Sequence, residues 1–364
     1  MTEQAHIIAP GAAARLEGFL AEFKPRRVML VTGKASFEKC GAAETILPLL
    51  ERLHIEVARF CDFAPNPDTK GLARGMEYIR NTNPDAIIAV GGGSVIDMAK
   101  LIRFSYAYPG DIFGDTHTPT ASLIPLAALP TTAGTGSEAT HFAVLYHNGI
   151  KHSIEHEHIR PDIAIVDCTF TYGTPPYLTA CAGFDALAQA IEAYWNRNAT
   201  PESDALALNA INLLYTTLPR LVENQYDDEC RAKASEGAYM AGRAIDITKT
   251  TAPHAFSYPF TSHYSYPHGH AVALTFPSIA QINMSRPGMP ESKRNELKLI
   301  LGLGEDIAST LSEYTARLGL TPRDMTYDID LLASEINLKR LANNPADIDA
   351  ADARHILQTA ITNR

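Results

Sequence analysis

Three stretches of this 364-residue chain carry residue types that could do chemistry. The first is Gly91-Gly92-Gly93-Ser94-Val95-Ile96-Asp97-Met98-Ala99-Lys100, preceded by the apolar run Ala86-Ile87-Ile88-Ala89-Val90. A strand, a glycine cluster and a helix, in that order, set backbone N–H groups and a helix N-terminus against a phosphate. Any Cβ there would hold a pyrophosphate away from the backbone. The spacing matches neither G-x-G-x-x-G nor G-x-x-x-x-G-K-[ST]. The second stretch is Thr131-Thr132-Ala133-Gly134-Thr135-Gly136-Ser137-Glu138-Ala139-Thr140, after the apolar run that ends at Pro130. Hydroxyl side chains mixed with glycine offer hydrogen bonds at close approach, which suits a ribose or a phosphate. The third combines Asp185 and Gln189 with two histidine segments, Pro253-His254-Ala255-Phe256-Ser257-Tyr258 and Pro267-His268-Gly269-His270. Four residues apart on a predicted helix, Asp185 and Gln189 face the same way. Asp185 lies among Phe184, Leu187, Ala188 and Ile191, and a carboxylate on such an apolar face needs a counter-charge. A carboxylate with imidazoles fits Zn(II) or Fe(II).

The elements that must position these residues change character along the chain. Apolar periodicity predicts a helix over 13–23, a strand over 27–33, a helix over 44–53, a strand over 55–60, a helix over 71–81 and then the strand before the glycines. Further strands are predicted over 142–146 and 164–166. This alternation predicts a Rossmann-like α/β domain with a mostly parallel sheet. Ligands of such sheets sit at the carboxyl ends of the strands, where Gly33, Asn66 and the glycine cluster fall. Beyond Thr174-Pro175-Pro176-Tyr177 the pattern is helical, over 178–194, 201–218, 230–248, 270–282, 291–318 and 329–361. The expected division is therefore 1–175, a dinucleotide-binding α/β domain, and 176–364, an all-helical metal-binding domain, with a ligand site in their cleft.

Composition narrows the function classes. The 31 basic and 41 acidic residues give a net charge of −10, which argues against nucleic acid or an anionic membrane as partner. The five cysteines are scattered with no C-x-x-C pair, the usage of a reduced, cytoplasmic protein. The N-terminal residues lack a basic start and an apolar run, so no signal peptide is expected, and no apolar stretch is long enough to span a bilayer.

Residues 91–100, 131–140, 183–194 (Gly-Phe-Asp-Ala-Leu-Ala-Gln-Ala-Ile-Glu-Ala-Tyr), 201–206 (Pro-Glu-Ser-Asp-Ala-Leu) and 267–269 together resemble successive signatures of the iron-containing (group III) alcohol dehydrogenases. They occur in that family's order and cover nearly the whole chain. The resemblance implies a dehydroquinate synthase-like architecture and hydride transfer between NAD(P)(H) and an alcohol/aldehyde pair. It implies one divalent metal, Fe(II) or Zn(II), a small-molecule carbonyl or alcohol substrate, and a homodimer. Coenzyme contacts carry over to Gly92, Gly93, Ser94, Asp97, Thr131, Thr135, Lys151 and Leu178, with Gly33, Asn66 and Thr132 beside them. The metal ligands carry over to Asp185, His254 and His268, with Gln189 where the family has a histidine. A further family histidine is here Tyr258. The neutral carbonyl of Gln189 is a poorer ligand than imidazole for a borderline-soft metal. His270 is therefore expected either to join the ligands or, like Tyr258, to relay a proton.

Two expectations concern specificity. The place after the first predicted strand, often acidic in the family, is Gly33 followed by Lys34. Without a carboxylate to repel a 2′-phosphate, and with a lysine to meet it, NADPH is expected to be accepted. The run from Arg243 to His254 carries Lys249 and three threonines on the approach to a metal ligand. A cation with neighbouring hydroxyls suits a short aldehyde with an anionic group. This segment resembles the phosphonoacetaldehyde reductase (2-hydroxyethylphosphonate dehydrogenase) branch of the family. The alternatives are a sugar-acid or other hydroxy-acid dehydrogenase, a dehydroquinate synthase-like enzyme using NAD transiently, and a non-catalytic nucleotide-binding protein with a decayed metal site.

Overall fold

The computed structural model describes residues 4–114, 118–336 and 338–362. The chain divides into two compact units, Met1–Thr174 and Pro175–Arg364.

The first unit is built on strands β1 (Ala5–Ile8), β2 (Arg27–Thr32), β3 (Glu56–Phe60), β4 (Ala86–Gly91), β5 (Leu126–Pro130) and β8 (Ile163–Val166), with β6 (Phe142–His147) and β7 (Ile150–Glu155) apart from them. Its helices are α1 (Leu16–Phe23), α2 (Ser36–Lys39), α3 (Ala42–Arg52), α4 (Thr69–Thr82) and α5 (Gly93–Ala107). The six strands form one parallel sheet in the order β1-β8-β5-β4-β2-β3. Side chains alternate between its faces. Met29, Val31, Ile87 and Ala89 pack with Leu72, Met76, Ile96 and Ile102 of α4 and α5. Val28, Leu30, Ile88 and Val90 pack with Leu16, Leu20, Ile46 and Leu50 of α1 and α3. Burial on both faces explains the unbroken apolar runs of β2 and β4. From β2 the chain adds β3 on one side and then returns to add β4 on the other. The topological switch therefore lies between β2 and β4, and Gly33 and the glycine cluster flank it.

Two strands escape the sequence reading. β1 is short and half exposed, and pairs at the sheet edge with β8. β7 forms an antiparallel hairpin with β6 through Asn148-Gly149, both at positive φ (51° and 79°). That dipeptide is the turn signal that could have revealed it.

The second unit contains α6 (Pro176–Trp195), α7 (Pro201–Tyr215), α8 (Thr217–Glu223), α9 (Asp228–Thr248), α10 (Ala252–Tyr264), α11 (His268–Ser285), α12 (Glu291–Leu301), α13 (Ile307–Arg317), α14 (Ile329–Ser334) and α15 (Ala350–Thr362). From Phe184 to Trp195 every residue of α6 is buried, so it is the helix on which the others pack. Three expected spans are interrupted. The run 201–218 breaks at Thr216; 291–318 divides after Gly302 (φ 63°); and 329–361 is two helices with a 3₁₀ turn, Leu338–Asn343, between them. α10, by contrast, is a full helix where only a histidine-bearing segment was expected, started by Pro253 in its first turn. Gly269 sets the approach of α11 to α6: a Cβ there would lie 1.9 Å from the carbonyl oxygen of Cys181.

Candidate functional site

In the second unit α6 supplies Asp185 and, one turn on, Gln189, whose Nε2 donates to Asp185 Oδ2 at 3.4 Å. His254 stands in the first turn of α10 and His268 opens α11. His254 Nε2 lies 3.1 Å and His268 Nε2 3.9 Å from the same oxygen, Asp185 Oδ1. One ligand atom from each of the three residues falls within 4.8 Å of the others. Asp185 and His254 are buried, while the His268 side chain keeps 29% of its exposure, so the group opens on the His268 side.

This donor set fits a divalent transition-metal ion: one carboxylate and two imidazoles with room for a further ligand. His254 also bonds through Nδ1 to the fully buried Glu192, the outer carboxylate that ligating histidines commonly carry. Gln189 Oε1 is buried and accepts no hydrogen bond, so a neutral oxygen stands beside the three ligands. Burial alone lowers the His254 pKa, but the carboxylates of Glu192 and Asp185 outweigh it and raise it to about 9. The protein thus favours positive charge at this point, and a divalent ion would take the proton's place.

The other expected residues separate. His270 stands outside this group of three: its Nε2 is 2.9 Å from the Thr321 carbonyl and its Nδ1 2.9 Å from the Tyr177 hydroxyl. Nε2–H therefore donates to the carbonyl and Nδ1 accepts from Tyr177. Burial, then the nearby Arg323, lower its pKa to about 4, and its Nε2 proton is held by a carbonyl oxygen. Tyr258 does join the group, its ring parallel to that of His268 at 5.9 Å. Lys249 is exposed at the C-cap of α9 with φ 64° and ψ 179°, a region essentially reserved for glycine. Its carbonyl is held by Asn196 Nδ2 at 3.1 Å and Thr248 Oγ1 at 2.9 Å. Arg243 instead faces Glu202. Glu192 and Tyr177 are participants that the sequence reading missed. Glu192 had a signal, since Asp185, Gln189 and Glu192 at i, i+4 and i+7 share one helical face.

In the first unit Gly33, the turn Gly92-Gly93-Ser94, and Thr131, Thr132 and Thr135 follow the carboxyl ends of β2, β4 and β5. α5 starts at Gly93 with no side-chain cap; Val95 N and Ile96 N turn back to the Gly92 carbonyl at 3.0 and 3.2 Å, which leaves the amides of Gly93 and Ser94 to face a ligand. A Cβ on Gly93 would lie 2.7 Å from Thr135 Oγ1, and one on Gly92 3.4 Å from Thr132 Oγ1. Asn66, at φ 63°, donates its N–H to Ser94 Oγ at 3.1 Å. Thr131 N donates to the Gly91 carbonyl at 3.0 Å, tying the two loops together. Asp97 is committed to the protein: its carboxylate accepts from Ser137 Oγ and, at 3.0 Å, from Val144 N, so it anchors α5 to β6. Lys151 lies half-buried on β7. Gly33 follows β2, and its carbonyl accepts from Arg59 Nη2 at 3.3 Å. Leu178 is exposed in the first turn of α6, in the second unit.

Comparisons with known proteins agree across both units. Residues 4–168 match the iron-containing alcohol dehydrogenase family, and residues 179–361 match the C-terminal part of the Fe-containing alcohol dehydrogenase family. Long-chain-alcohol dehydrogenase 1 of Geobacillus thermodenitrificans is 31% identical over 274 residues, 74% of this chain and 69% of that one. The NADPH-dependent butanol dehydrogenase of Clostridium saccharobutylicum is 33% identical over 271 residues, 72% of this chain and 69% of that one. The crystal structure of sulfoacetaldehyde reductase from Bifidobacterium kashiwanohense in complex with NAD+ superposes with a TM-score of 0.88 at 29% identity, covering 100% of this chain and 98% of the other.

Proposed function

The chain belongs to the iron-containing alcohol dehydrogenases, a family of oxidoreductases, and from that premise we propose that it reduces a small anionic aldehyde with NAD(P)H. Phosphonoacetaldehyde is the substrate of first choice. The observation that carries the anionic class is Lys249. A lysine there occupies a backbone conformation that glycine adopts without cost, five residues ahead of His254. Strain of this kind persists where the side chain is worth more than the conformation costs. The likeness to a sulfoacetaldehyde reductase, whose substrate is by name a short sulfonated aldehyde, supports the same class.

Each residue then has a task. Asp185, His254 and His268 would hold Fe(II) or Zn(II), with Gln189 beside them. When bound, the ion supplies Lewis-acid polarisation of the carbonyl and the nicotinamide supplies the hydride. Gly92, Gly93 and Ser94 present backbone amides to the pyrophosphate, and Asn66, Thr132 and Thr135 line the same concavity. The exposed edge of His268 admits the aldehyde. Tyr258, whose ring lies parallel to that of His268, is the side chain placed to hand over a proton, His270 being turned to Thr321 and Tyr177. Lys249 meets the anionic group. A cytoplasmic homodimer belongs to this reading, and light scattering of the purified protein checks the oligomeric part.

Two measurements test it. Metal analysis should find one divalent ion per chain and its loss in His268→Ala; unchanged metal content and turnover would remove the assignment. The ratio of kcat/KM for phosphonoacetaldehyde to that for propanal should be high. In Lys249→Ala, loss of a charge-assisted contact should cost roughly 1.5–3 kcal/mol on the anionic substrate alone. Equal losses on both substrates, or none, would return the chain to a general alcohol dehydrogenase.

A further inference from the structure

The last turn of α6 grips the segment that carries His254. Asn196 Nδ2 holds the Lys249 carbonyl, and Trp195 Nε1 donates to Thr251 Oγ1 at 3.0 Å. Glu192 does most of the work. Its Oε1 accepts from Thr251 N at 3.0 Å, Thr251 Oγ1 at 3.0 Å and His254 N at 3.3 Å. Its Oε2 meets His254 Nδ1. Thr251 is the N-cap of α10, yet its own hydroxyl makes no cap bond. A carboxylate from a different helix therefore satisfies two of the orphaned N–H groups of that end, where the helix dipole favours negative charge. The same carboxylate fixes the imidazole. With Nδ1–H donated to Glu192, the Nε2 lone pair must point the other way, toward Asp185.

We propose that Glu192 is the positioning residue of the metal centre, holding His254 in the one tautomer and ring orientation that can ligate. This rests on the assignment of Asp185, His254 and His268 as ligands and adds a residue that does not itself touch the ion. A carboxamide cannot do both of Glu192's jobs. Glutamine can still accept from Thr251 through its oxygen, but it then turns its NH₂ toward His254 Nδ1. That favours the tautomer with the proton on Nε2, where the ion must bind.

The experiment compares Glu192→Gln with Thr251→Ala in the full chain, using Co(II) absorption and competition with Zn(II) to read affinity and thermal melting to read stability. Glu192→Gln loses the negative charge at the helix end and the bond from His254 Nδ1, and Thr251→Ala loses the hydroxyl's bonds to Glu192 and Trp195, so the Tm of the metal-free protein should fall in each. Only Glu192→Gln should lose metal affinity, by about 10- to 100-fold, the usual effect of removing an outer-shell partner. A Glu192→Gln protein that binds Co(II) as tightly as the parent would overturn the proposal. So would a Thr251→Ala protein that loses as much affinity, since Glu192 would then act only through the helix end. Should Glu192→Gln not fold, ¹⁵N NMR of the zinc-loaded parent decides: a proton on Nδ1 of His254 is expected, and zinc on Nδ1 would overturn the inference. A parent that binds no Co(II) at all would overturn the ligand assignment with it.

Discussion

Glu138 is buried in the first unit, in a polar group with Lys100, Asp97 and Ser137. Lys100 is fully buried and donates to the Ser137 carbonyl at 2.7 Å, to Thr140 Oγ1 at 3.0 Å and to the Phe142 carbonyl at 2.6 Å. The cluster ties α5 to the segment that follows the Thr131–Thr135 loop. Burial is the main reason that the Glu138 carboxyl is raised to about 7 from 4.5; Lys100 opposes the rise and Asp97 adds to it. The folded state therefore binds this proton more tightly than the unfolded chain. The stabilisation is complete below pH 4.5, declines as pH rises, and is gone above about 7. Glu138→Gln, which keeps the shape without the ionisation, should match the parent near pH 4.5 and exceed it by up to roughly 3 kcal/mol at pH 8. Urea midpoints at the two pH values measure this, and a difference that does not change with pH would refute the burial argument. At the candidate metal centre the residue-scale logic runs the other way, with carboxylates on both sides of His254 and room for positive charge between them.

At the scale of elements, the candidate metal centre exists because three helices meet. α6 carries the carboxylate on a face that is otherwise core, α10 is pinned by its first turn to the end of α6, and α11 begins against the middle of α6. Gly269 is the condition for that last contact. An alanine there would place its methyl 1.9 Å from the Cys181 carbonyl oxygen and 2.8 Å from the carbonyl carbon. Backbone cannot yield as a flexible side chain can, so the start of α11 must move away and take His268 with it. Gly269→Ala should cost about 1–3 kcal/mol, the range for overpacking, and should lose bound metal. Calorimetry with metal analysis of the same sample checks both. A variant as stable and as well loaded as the parent would mean that α11 does not depend on this approach.

For the whole molecule, the two compact units carry different parts of the proposed chemistry, coenzyme binding in the first and the metal in the second. The residues from which coenzyme choice is argued all lie in the first unit. Gly33 supplies no carboxylate at the end of β2, Lys34 is exposed beside it, and Arg59 bonds to the Gly33 carbonyl while paired with Glu38 at 2.5 Å. NADPH should be accepted at least as well as NADH, compared by kcat/KM. Gly33→Asp combined with Ser36→Ala should shift the ratio toward NADH; the second change is needed because a Cβ at Gly33 would lie 2.2 Å from Ser36 Oγ. A strong NADH preference in the parent that this variant leaves unmoved would count against the reading.

The sequence by itself determined what is local. An apolar β-branched run, three glycines and a helix start can be read as strand, turn and helix because each depends on neighbours in the chain. The i, i+4 spacing placed Asp185 and Gln189 on one face for the same reason. The parallel sheet and the helical second half follow from pattern alternation, and they are observed. Which histidines meet Asp185 is different: His254 is 69 residues away, and no periodicity encodes that distance. The sequence reading takes His268 as a ligand and His270 as a further ligand or a proton relay, without a geometric reason to part them. Two residues apart at the start of α11, they are turned by about 200° on the helix. One therefore faces Asp185 and the other Tyr177. The face of Glu192 was legible from its i+7 spacing to Asp185, but its bond to His254 and the strained backbone of Lys249 were not, because a hydrogen bond between helices or a dihedral is set only by packing.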